Sequence, residues 1–176
     1  MNKKNTCRIC GSDFSNVQDI CPGCGTPVTV LVEEVHVPVP LGPVNDFAGV
    51  LSKDQKSELH NLVDAFFRKS DIPIILNTIY TTEPLHPSEY AFLLYNQWGI
   101  GHPDTNRGVL ILLALKERHV ESEIGFGLED VLPEEIGDRI VQEEFVPCFK
   151  SEKYFEGLRS GTEAIINYLS GKLPSQ

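Results

Sequence analysis

The chain has 176 residues, with 25 acidic against 15 basic residues and a formal net charge of −10, and its length fits one ordinary domain plus a small appendage. A nucleic-acid-binding protein normally carries a basic stripe that neutralises phosphates, so this charge balance disfavours a nucleic-acid partner. No apolar run approaches the ~20 residues of a membrane span. Residues 1–6 also lack the apolar stretch of a secretory signal. We therefore expect a soluble, cytoplasmic protein.

Two cysteine pairs of identical spacing lie near the N-terminus, Cys7-x2-Cys10 and Cys21-x2-Cys24, and a glycine follows each pair. A tight turn allows both thiolates of a pair to point at one ion, and the glycine relieves crowding where the backbone bends back. Two such turns complete a tetrahedral site with no vacant position. The spacing therefore predicts a structural zinc ribbon over residues 1–27.

Disulfides and iron are the alternatives to zinc. Disulfides need an oxidising compartment, which the N-terminal residues do not indicate. Rubredoxin-type iron sites use similar turns, but with a longer and more aromatic segment between the pairs than the ten residues here. Zinc is favoured over both. Catalysis at this metal is disfavoured, because a catalytic zinc keeps one ligand position open.

A proline-rich segment and then a helix follow the ribbon. Residues 28–43 are first β-branched and then contain three closely spaced prolines, which cannot donate ladder hydrogen bonds. They predict a stiff, extended linker. Ser52 and Gln55 have the spacing of a capping box. Apolar residues then recur every three to four positions, which predicts a helix that ends near Ser70.

The remaining pattern predicts an α/β fold. Two apolar runs are typical of buried strands, and the helix between them predicts a right-handed crossover and a parallel pair. A following segment alternates between polar and apolar residues, which predicts a half-exposed antiparallel strand. The predicted strands span 73–80, 109–115 and 120–124, and the helices span 88–98, 133–146 and 153–170, with Gly171 as the stop of the last helix. We expect a three-layer α/β/α sandwich with a small mixed sheet.

The predicted hairpin brings acidic residues to one end of this sheet. The start of its first strand and the end of its second lie together, beside Asp104 and Asn106 on one loop and Glu123 and Glu129 on the other. Oxygen ligands on two glycine-rich loops predict a site for a hard cation such as calcium or magnesium. The alternative is that these residues only form polar turns and helix starts. Phosphate binding at the helix that begins near Pro133 would need a bridging cation, because acidic residues crowd that position.

Several of these motifs resemble the TPM domain family. They are Trp98-Gly-Ile-Gly101, Asp104-x-Asn-x-Gly-Val-Leu110, Arg118, Glu123-Ile-Gly-Phe-Gly-Leu-Glu129, Asn45-Asp-Phe-Ala-Gly-Val-Leu-Ser52 and the segment from Phe149 to Gly161. The resemblance covers residues 44 to 170. It implies an α/β/α sandwich. For function it implies acid phosphatase activity, as in some plant members, or calcium binding, or a role in the assembly or repair of membrane complexes.

Carried over by position, the resemblance implies Asp46, Asp104 and Glu129 as acidic site residues, with Glu123 nearby. The order of elements places Asp46 towards the opposite end of the sheet unless residues 46–51 fold back. Many relatives have an export signal where this chain has its cysteine pairs, which implies a cytosolic branch. Relatives often have an aspartate shortly after the position of Glu129, where this chain has Pro133-Glu134.

These observations predict three segments and leave two functions. The segments are a zinc ribbon (1–27), a linker (28–43) and a TPM-like domain (44–172). The first function is a non-catalytic interaction or assembly module that binds calcium or magnesium and a protein partner. The alternative is a divalent-metal-dependent, acid phosphatase-like hydrolase of phosphomonoesters, in which a bound cation polarises the phosphoryl group of a phosphorylated small molecule. The sequence has no Gly-x-Ser-x-Gly nucleophile elbow, which favours the first function.

Overall fold

The computed structural model describes residues 5–7, 10–14, 20–25, 35 and 37–173. At the N-terminus, β1 (Asn5–Thr6) and β2 (Asp13–Phe14) form a small antiparallel pair on either side of the first cysteine pair. Half of the linker predicted over residues 28–43 lies outside the described residues, which resume at 35 and continuously from 37.

The main domain is built on a mixed four-stranded sheet. Its strands are β3 (Val44–Asp46), β4 (Ile74–Ile79), β5 (Val109–Ala114) and β6 (His119–Ile124), in the spatial order β3-β4-β5-β6. The first three strands are parallel, and β6 runs antiparallel to β5. The predicted parallel pair, the antiparallel hairpin and the mixed sheet are thereby confirmed. Strand β3 is absent from the sequence prediction, because three residues directly after Pro43 are too few to show alternation.

Within the part of the chain that the structure describes, five α-helices accompany the sheet. They are α1 (Lys53–Ser70), α2 (Pro87–Gln97), α3 (Glu134–Ile140), α4 (Val146–Lys150) and α5 (Tyr154–Lys172). The capping box at the start of α1 is confirmed: the Ser52 hydroxyl accepts from the amide of Gln55, and the Gln55 side chain accepts from the amide of Ser52. The predicted end of this helix at Ser70 is also confirmed.

Two helix predictions need correction. The helix predicted over 133–146 continues to Lys150, through a π-helical turn (Val141–Phe145) that joins α3 to α4. Pro147 lacks an N–H, so the regular hydrogen bond to residue 143 cannot form, and the wider turn precedes it. Gly171 does not stop α5, which extends to Lys172. Leu173, directly after it, packs against the core.

Helices cover both faces of the sheet, which confirms the α/β/α sandwich. Alternate residues of β5 supply two cores. Val109 and Ile111 pack with α1 and α5, whereas Leu110 and Leu112 pack with α2. Because α1 and α2 lie on opposite faces while β3, β4 and β5 follow one another across the sheet, their two crossovers have opposite hands. One of them therefore departs from the usual right-handed rule.

The described N-terminal residues 5–7, 10–14 and 20–25 form the N-terminal module, and its cysteines pack on the face of the sheet that α2 covers. Cys7 and Cys21 are buried in the same apolar cluster as residues of α2 and β5. The indole N–H of Trp98 donates to the carbonyl of Pro38 at 2.9 Å, and its ring lies 6.4 Å from that of Phe47. These contacts connect the chain on both sides of β3, at Pro38 and at Phe47, to the residue that follows α2.

Among the helices that the structure describes, none combines the length and the apolar character needed to cross a membrane.

Two glycines of α5 are expected to respond oppositely to alanine. A Cβ at Gly161 would lie 2.1–2.4 Å from the buried ring of Phe145, whereas a Cβ at Gly171 meets nothing within 4 Å. We expect Gly161→Ala to lower the free energy of unfolding by about 1–3 kcal/mol through overpacking. Gly171→Ala should raise it by about 0.5–1 kcal/mol, because alanine favours the helix. Urea unfolding of the two variants measures both changes, and equal signs would contradict this packing.

Candidate functional site

The two cysteine turns have the same backbone geometry. The amide of Gly11 donates to the carbonyl of Cys7 at 2.8 Å, and the amide of Gly25 donates to that of Cys21 at 2.9 Å. Both glycines have positive φ, 75° and 73°, a conformation that favours glycine. This confirms the predicted role of the glycine in each turn, which bends the chain back so that both sulfurs of a pair face one point.

The four sulfurs are close enough to hold one metal ion. The ligand atoms of Cys7, Cys10, Cys21 and Cys24 all lie within 4.8 Å of one another. The Cys7–Cys24 and Cys10–Cys21 sulfurs are 3.8 Å and 3.6 Å apart, against an edge of ~3.8 Å for a tetrahedron with ~2.3 Å metal–sulfur bonds. None of these four cysteines forms a disulfide. A hydrogen bond from the Ser12 side chain lowers the pKa of Cys10 to about 6, which favours the thiolate that binds metal.

A second candidate site is an acidic cavity of about 320 Å³ beside β6. It lies between α2, the end of β6, a 3₁₀ turn (Phe126–Leu128) and the start of α3. Its carboxylates are Glu121, Glu123, Glu129, Glu134 and Asp138. Asn106 and Tyr95 complete one wall, and the Tyr95 hydroxyl donates to the Asn106 side-chain oxygen at 3.4 Å.

Glycines allow the loop before β5 and the loop after β6 to pack closely beside the acidic cavity. The amides of Gly125 and Gly127 donate to the carbonyls of Gly108 and Asn106 at 3.0 and 3.1 Å. A Cβ at Gly127 would lie 1.8 Å from the carbonyl oxygen of Thr105, and one at Gly125 would lie 2.2 Å from that of Asn106. The Gly-Phe-Gly sequence is therefore required by close packing of backbone on backbone, which fixes the rim of the acidic cavity.

Glu123 is the most perturbed group in the acidic cavity. Burial raises the pKa of Glu123 to about 7, and the negative charges of Glu121 and Glu134 add to this rise. Burial also raises the pKa of Tyr95 to about 12, with a smaller contribution from Glu123. Near neutral pH, Glu123 is therefore divided between its protonated and charged forms, and a bound cation would stabilise the charged form.

The structure brings together only part of the predicted acidic set. Asn106, Glu123 and Glu129 line the cavity, but Asp104 does not. The side chain of Asp104 is 89% exposed, and its nearest ion-pair partner among the described residues is His102, at 3.8 Å. Among the described residues, the cysteine cluster is the group of three or more His, Cys, Asp or Glu side chains whose ligand atoms lie within 4.8 Å of one another. No three carboxylates of the acidic cavity, as described, are that close together.

Asp46 lies at the other end of the sheet. It pairs with Thr78, which pairs with Leu113, whereas Glu123 pairs with Leu110. Asp46 therefore lies ~10 Å from Glu123 along the strand direction. Across the sheet the two residues are three strand spacings apart, or ~14 Å. Its carboxylate, 1% exposed, accepts from the amides of residues 50 and 51 and from the Thr78 hydroxyl. The structure does not bring this residue together with the predicted acidic ligands.

Four ionisable residues of the cavity were not among the predicted site residues: Tyr95, Glu121, Glu134 and Asp138. The alternation in 120–124 indicates that Glu121 and Glu123 share a face. Glu134 and Asp138 lie four residues apart on α3 and so share one side of that helix. Helices α2 and α3 both lie beside the outer edge of β6. This tertiary arrangement has no local signal in the sequence.

Comparison with known proteins gives a consistent result. The family model described as the TPM domain matches residues 44–168. The N-terminal domain of a protein from P. gingivalis, solved by NMR, has 34% sequence identity and a TM-score of 0.68, over 74% of this chain and 83% of that one. The BA42 protein from Bizionia argentinensis has 17% identity and a TM-score of 0.63, over 72% of this chain and 86% of that one. The N-terminal domain of the cg2496 protein from Corynebacterium glutamicum has 14% identity and a TM-score of 0.61, over 82% and 93%. The last two likenesses show the fold alone. No curated protein matches the chain significantly.

The pKa of Glu123 predicts a pH-dependent stability. Below its ordinary pKa of 4.5, Glu123 is protonated in both the folded and the unfolded chain. Between pH 4.5 and about 7 the unfolded chain loses this proton while the folded chain keeps it. The contribution of Glu123 to the free energy of unfolding therefore falls as the pH rises. We expect Glu123→Gln to raise the free energy of unfolding by about 1 kcal/mol at pH 8, after allowance for partial exposure, and by much less at pH 4. Glu156→Gln, an exposed glutamate on α5, controls for the lost charge. A difference from wild type that is independent of pH would contradict the assignment.

Removal of a metal from the cysteines should destabilise the main domain as well. Cys7 and Cys21 share an apolar cluster with α2, and binding of a structural metal contributes directly to folding free energy. We expect a chelator, or Cys21→Ser, to lower the main calorimetric transition by several degrees. Cys148→Ser, a change at the cysteine outside the cluster, should leave the effect of the chelator unchanged. An unaltered main transition after metal removal would show that the two modules are energetically independent.

Proposed function

Because the chain belongs to the TPM domain family, we propose that its main domain is an interaction module that binds a divalent cation in the acidic cavity. The observation that carries this proposal is the convergence of five carboxylates and Asn106 on one cavity that also has an exposed aromatic residue on its rim. Calcium and magnesium prefer carboxylate and amide oxygens.

The proposed ligands are Asn106, Glu123 and Glu129. Their separation implies that water completes the coordination shell, as is usual for calcium and magnesium in open sites. A site of this kind binds weakly, with a dissociation constant of roughly 0.1–1 mM by analogy with other low-affinity calcium modules. Asp104, which the family resemblance includes, joins this set only if its loop rotates towards the cavity.

Phe126 is the proposed contact for a protein partner. It lies between Glu123 and Glu129 in the chain, is 74% exposed and lines the same cavity. Exposed aromatic side chains are the commonest anchors of protein interfaces. A cation bound behind Phe126 would reduce the local negative charge, and an interface at this rim would then form more readily in the presence of the cation.

For the cysteine cluster we propose zinc in a structural role. Four thiolates fill a tetrahedral shell and leave no position for water or substrate. Metal analysis of the purified protein should give about one zinc per chain. Visible absorption from iron–thiolate charge transfer would identify the rubredoxin-type alternative instead.

Phosphomonoester hydrolysis is the second candidate function. Its support is Glu123, whose pKa near neutrality suits a group that transfers protons. In this mechanism Asn106 and Glu129 would hold the cation, which would polarise a phosphoryl oxygen and supply a bound water as the nucleophile. As the water oxygen bonds to phosphorus and the ester bond breaks, protonated Glu123, acting here as an acid and not as a ligand, would give its proton to the leaving alcohol oxygen and take up the proton that the water loses. The test is turnover of a generic phosphomonoester with magnesium or calcium, with Glu123→Gln and Glu129→Gln as inactive variants. Absence of turnover with either metal would exclude this function.

The proposed cation site is tested by adding calcium, then magnesium, while backbone amide NMR shifts are followed. We expect saturable shifts confined to residues 102–108 and 121–138. Glu123→Gln and Glu129→Gln should each weaken binding at least about tenfold, as expected for loss of a charged ligand. Asp104→Asn tests whether the loop rotates and should change affinity only about twofold if it does not. Shifts elsewhere, or none at millimolar metal, would refute the site.

The interaction role has its own test, which separates Phe126 from the cation. Phe126→Ala should leave calcium affinity unchanged, because the ring is not a ligand. It should, however, abolish any partner capture that depends on added calcium. Phe67→Ala removes another exposed aromatic, 43% exposed on α1, and is the matched control. Capture that survives Phe126→Ala would place the interface elsewhere.

A further inference from the structure

A second cavity, of about 260 Å³, lies at the opposite end of β5 from the acidic cavity. It is enclosed by the end of β5, the β5–β6 turn, α4 and the start of α5. Three cationic residues line it: Lys116, Arg118 and Lys150. On a chain with only 15 basic residues and a net charge of −10, such a grouping in one small cavity runs against the overall charge.

Two of these cations, Arg118 and Lys150, have no carboxylate partner among the described residues. Lys116 is paired with Glu83, with a nitrogen–oxygen distance of 2.5 Å. For Arg118 and Lys150, no carboxylate among the described residues lies within ion-pair distance. The one acidic residue in the lining is Glu152. Both free cations are exposed, so each can be desolvated by a ligand without breaking an existing pair.

The backbone at this cavity is strained at two positions. Four non-glycine residues of the described chain have positive φ. Two are Asp71 and Asn106, residue types that tolerate this conformation, and the others are Arg118 (φ 51°) and Glu152 (φ 56°). Both of the latter line the basic cavity. Strained residues of this kind cluster at ligand sites, where the surrounding structure holds a side chain in a required position.

The turns that hold these residues are well defined. The amide of Arg118 donates to the carbonyl of Leu115 at 3.1 Å, which closes the β5–β6 turn, and the amide of Glu152 donates to that of Phe149 at 3.0 Å. The left-handed residue of a hairpin turn is usually glycine or asparagine. At Arg118 the chain instead has a long cationic side chain, which places a guanidinium on the rim of the cavity.

The rest of the lining is apolar and aromatic. The rings of Phe149 and Tyr154 are 6.1 Å apart and tilted by 44°, and buried Leu113 and Val120 form the floor. At about 260 Å³, the cavity is slightly smaller than the usual range for small-molecule sites, ~300–1,000 Å³. It fits one ring and one anionic group, not a length of peptide.

We propose that this basic cavity binds an organic phosphate, with the phosphate at Arg118 and Lys150 and an aromatic group against Phe149 and Tyr154. Arginine matches the tetrahedral oxygens of phosphate through its planar, multiple N–H donors. The site is independent of the proposed function, because it shares no residue with the acidic cavity and needs no cation.

Phenylphosphonate is the probe, because its carbon–phosphorus bond is not cleaved by a phosphatase. It is titrated into the full chain without added calcium or magnesium, and backbone amide NMR shifts are followed. We expect saturable shifts at residues 113–120 and 146–154. Absence of saturable shifts there, or shifts only at 121–138, would overturn the proposal. A failure of the cation site would instead appear in the separate calcium titration.

Arg118→Gly is the decisive variant. Glycine accepts the positive φ without strain, so the fold should be kept while the guanidinium is lost, and binding should weaken roughly tenfold or more. Asp71→Gly makes the same backbone change outside the cavity, at φ 56°. Lys69→Ala removes an exposed cation from α1. Both should bind phenylphosphonate as wild type does, and wild-type binding by Arg118→Gly would overturn the proposal.

Two further ligands test the two parts of the assignment. Inorganic phosphate should bind roughly tenfold more weakly than phenylphosphonate, because it lacks the ring. Equal affinity would overturn the aromatic contact. Benzoate has the ring and a single negative charge, and we expect it to bind more weakly as well. Equal affinity for benzoate would overturn the assignment to phosphate.

Discussion

Burial of strand β5 on both faces is the constraint on which the rest of the domain depends. All six of its residues are at most 2% exposed, and full burial of a large aliphatic side chain contributes roughly 1.5–3 kcal/mol. Alternate residues belong to the two cores, so β5 cannot shift by one position without moving every side chain to the wrong face. Its register with β4 and β6 is therefore fixed. That register sets which loops meet at each end of the sheet.

The two ends of β5 have opposite chemical character as a result. At its start, the loop before β5 is hydrogen-bonded to the loop after β6 through Gly125 and Gly127, and carboxylates from three elements converge. At its end, the β5–β6 turn faces α4 and α5, and cations gather beside aromatic rings. The acidic end is electrostatically costly, since Glu123 is half-buried beside Glu121 and Glu134. Sites of unfavourable charge are retained where function requires them, at some cost in stability.

The sequence predicted the architecture better than the sites, for a physical reason. The capping box at Ser52, the apolar run of β5 and the alternation in β6 are local signals, and each is confirmed. Strand β3 and the π turn before Pro147 depend on tertiary pairing and on a missing N–H, and periodicity does not detect them. The acidic end was predicted in outline, because hairpin geometry places its loops together. The basic cavity was not predicted, because Arg118 and Lys150 are far apart in sequence. They come together only through the packing of α4 on the hairpin.

Asp46 illustrates how resemblance and geometry divide the acidic residues. Matching by position groups it with Asp104 and Glu129, yet its carboxylate is already engaged by two backbone amides, by the Thr78 hydroxyl and, at 3.9 Å, by Lys56. These bonds hold residues 47–51 in the turn that leads from β3 into α1. A metal at this position would have to replace several of them at once, and removal of hydrogen bonds to a buried carboxylate costs more than a weak cation site returns. Asp46 therefore belongs to the framework of the domain. The cation site proposed at the acidic end uses only residues that the structure leaves open to a ligand.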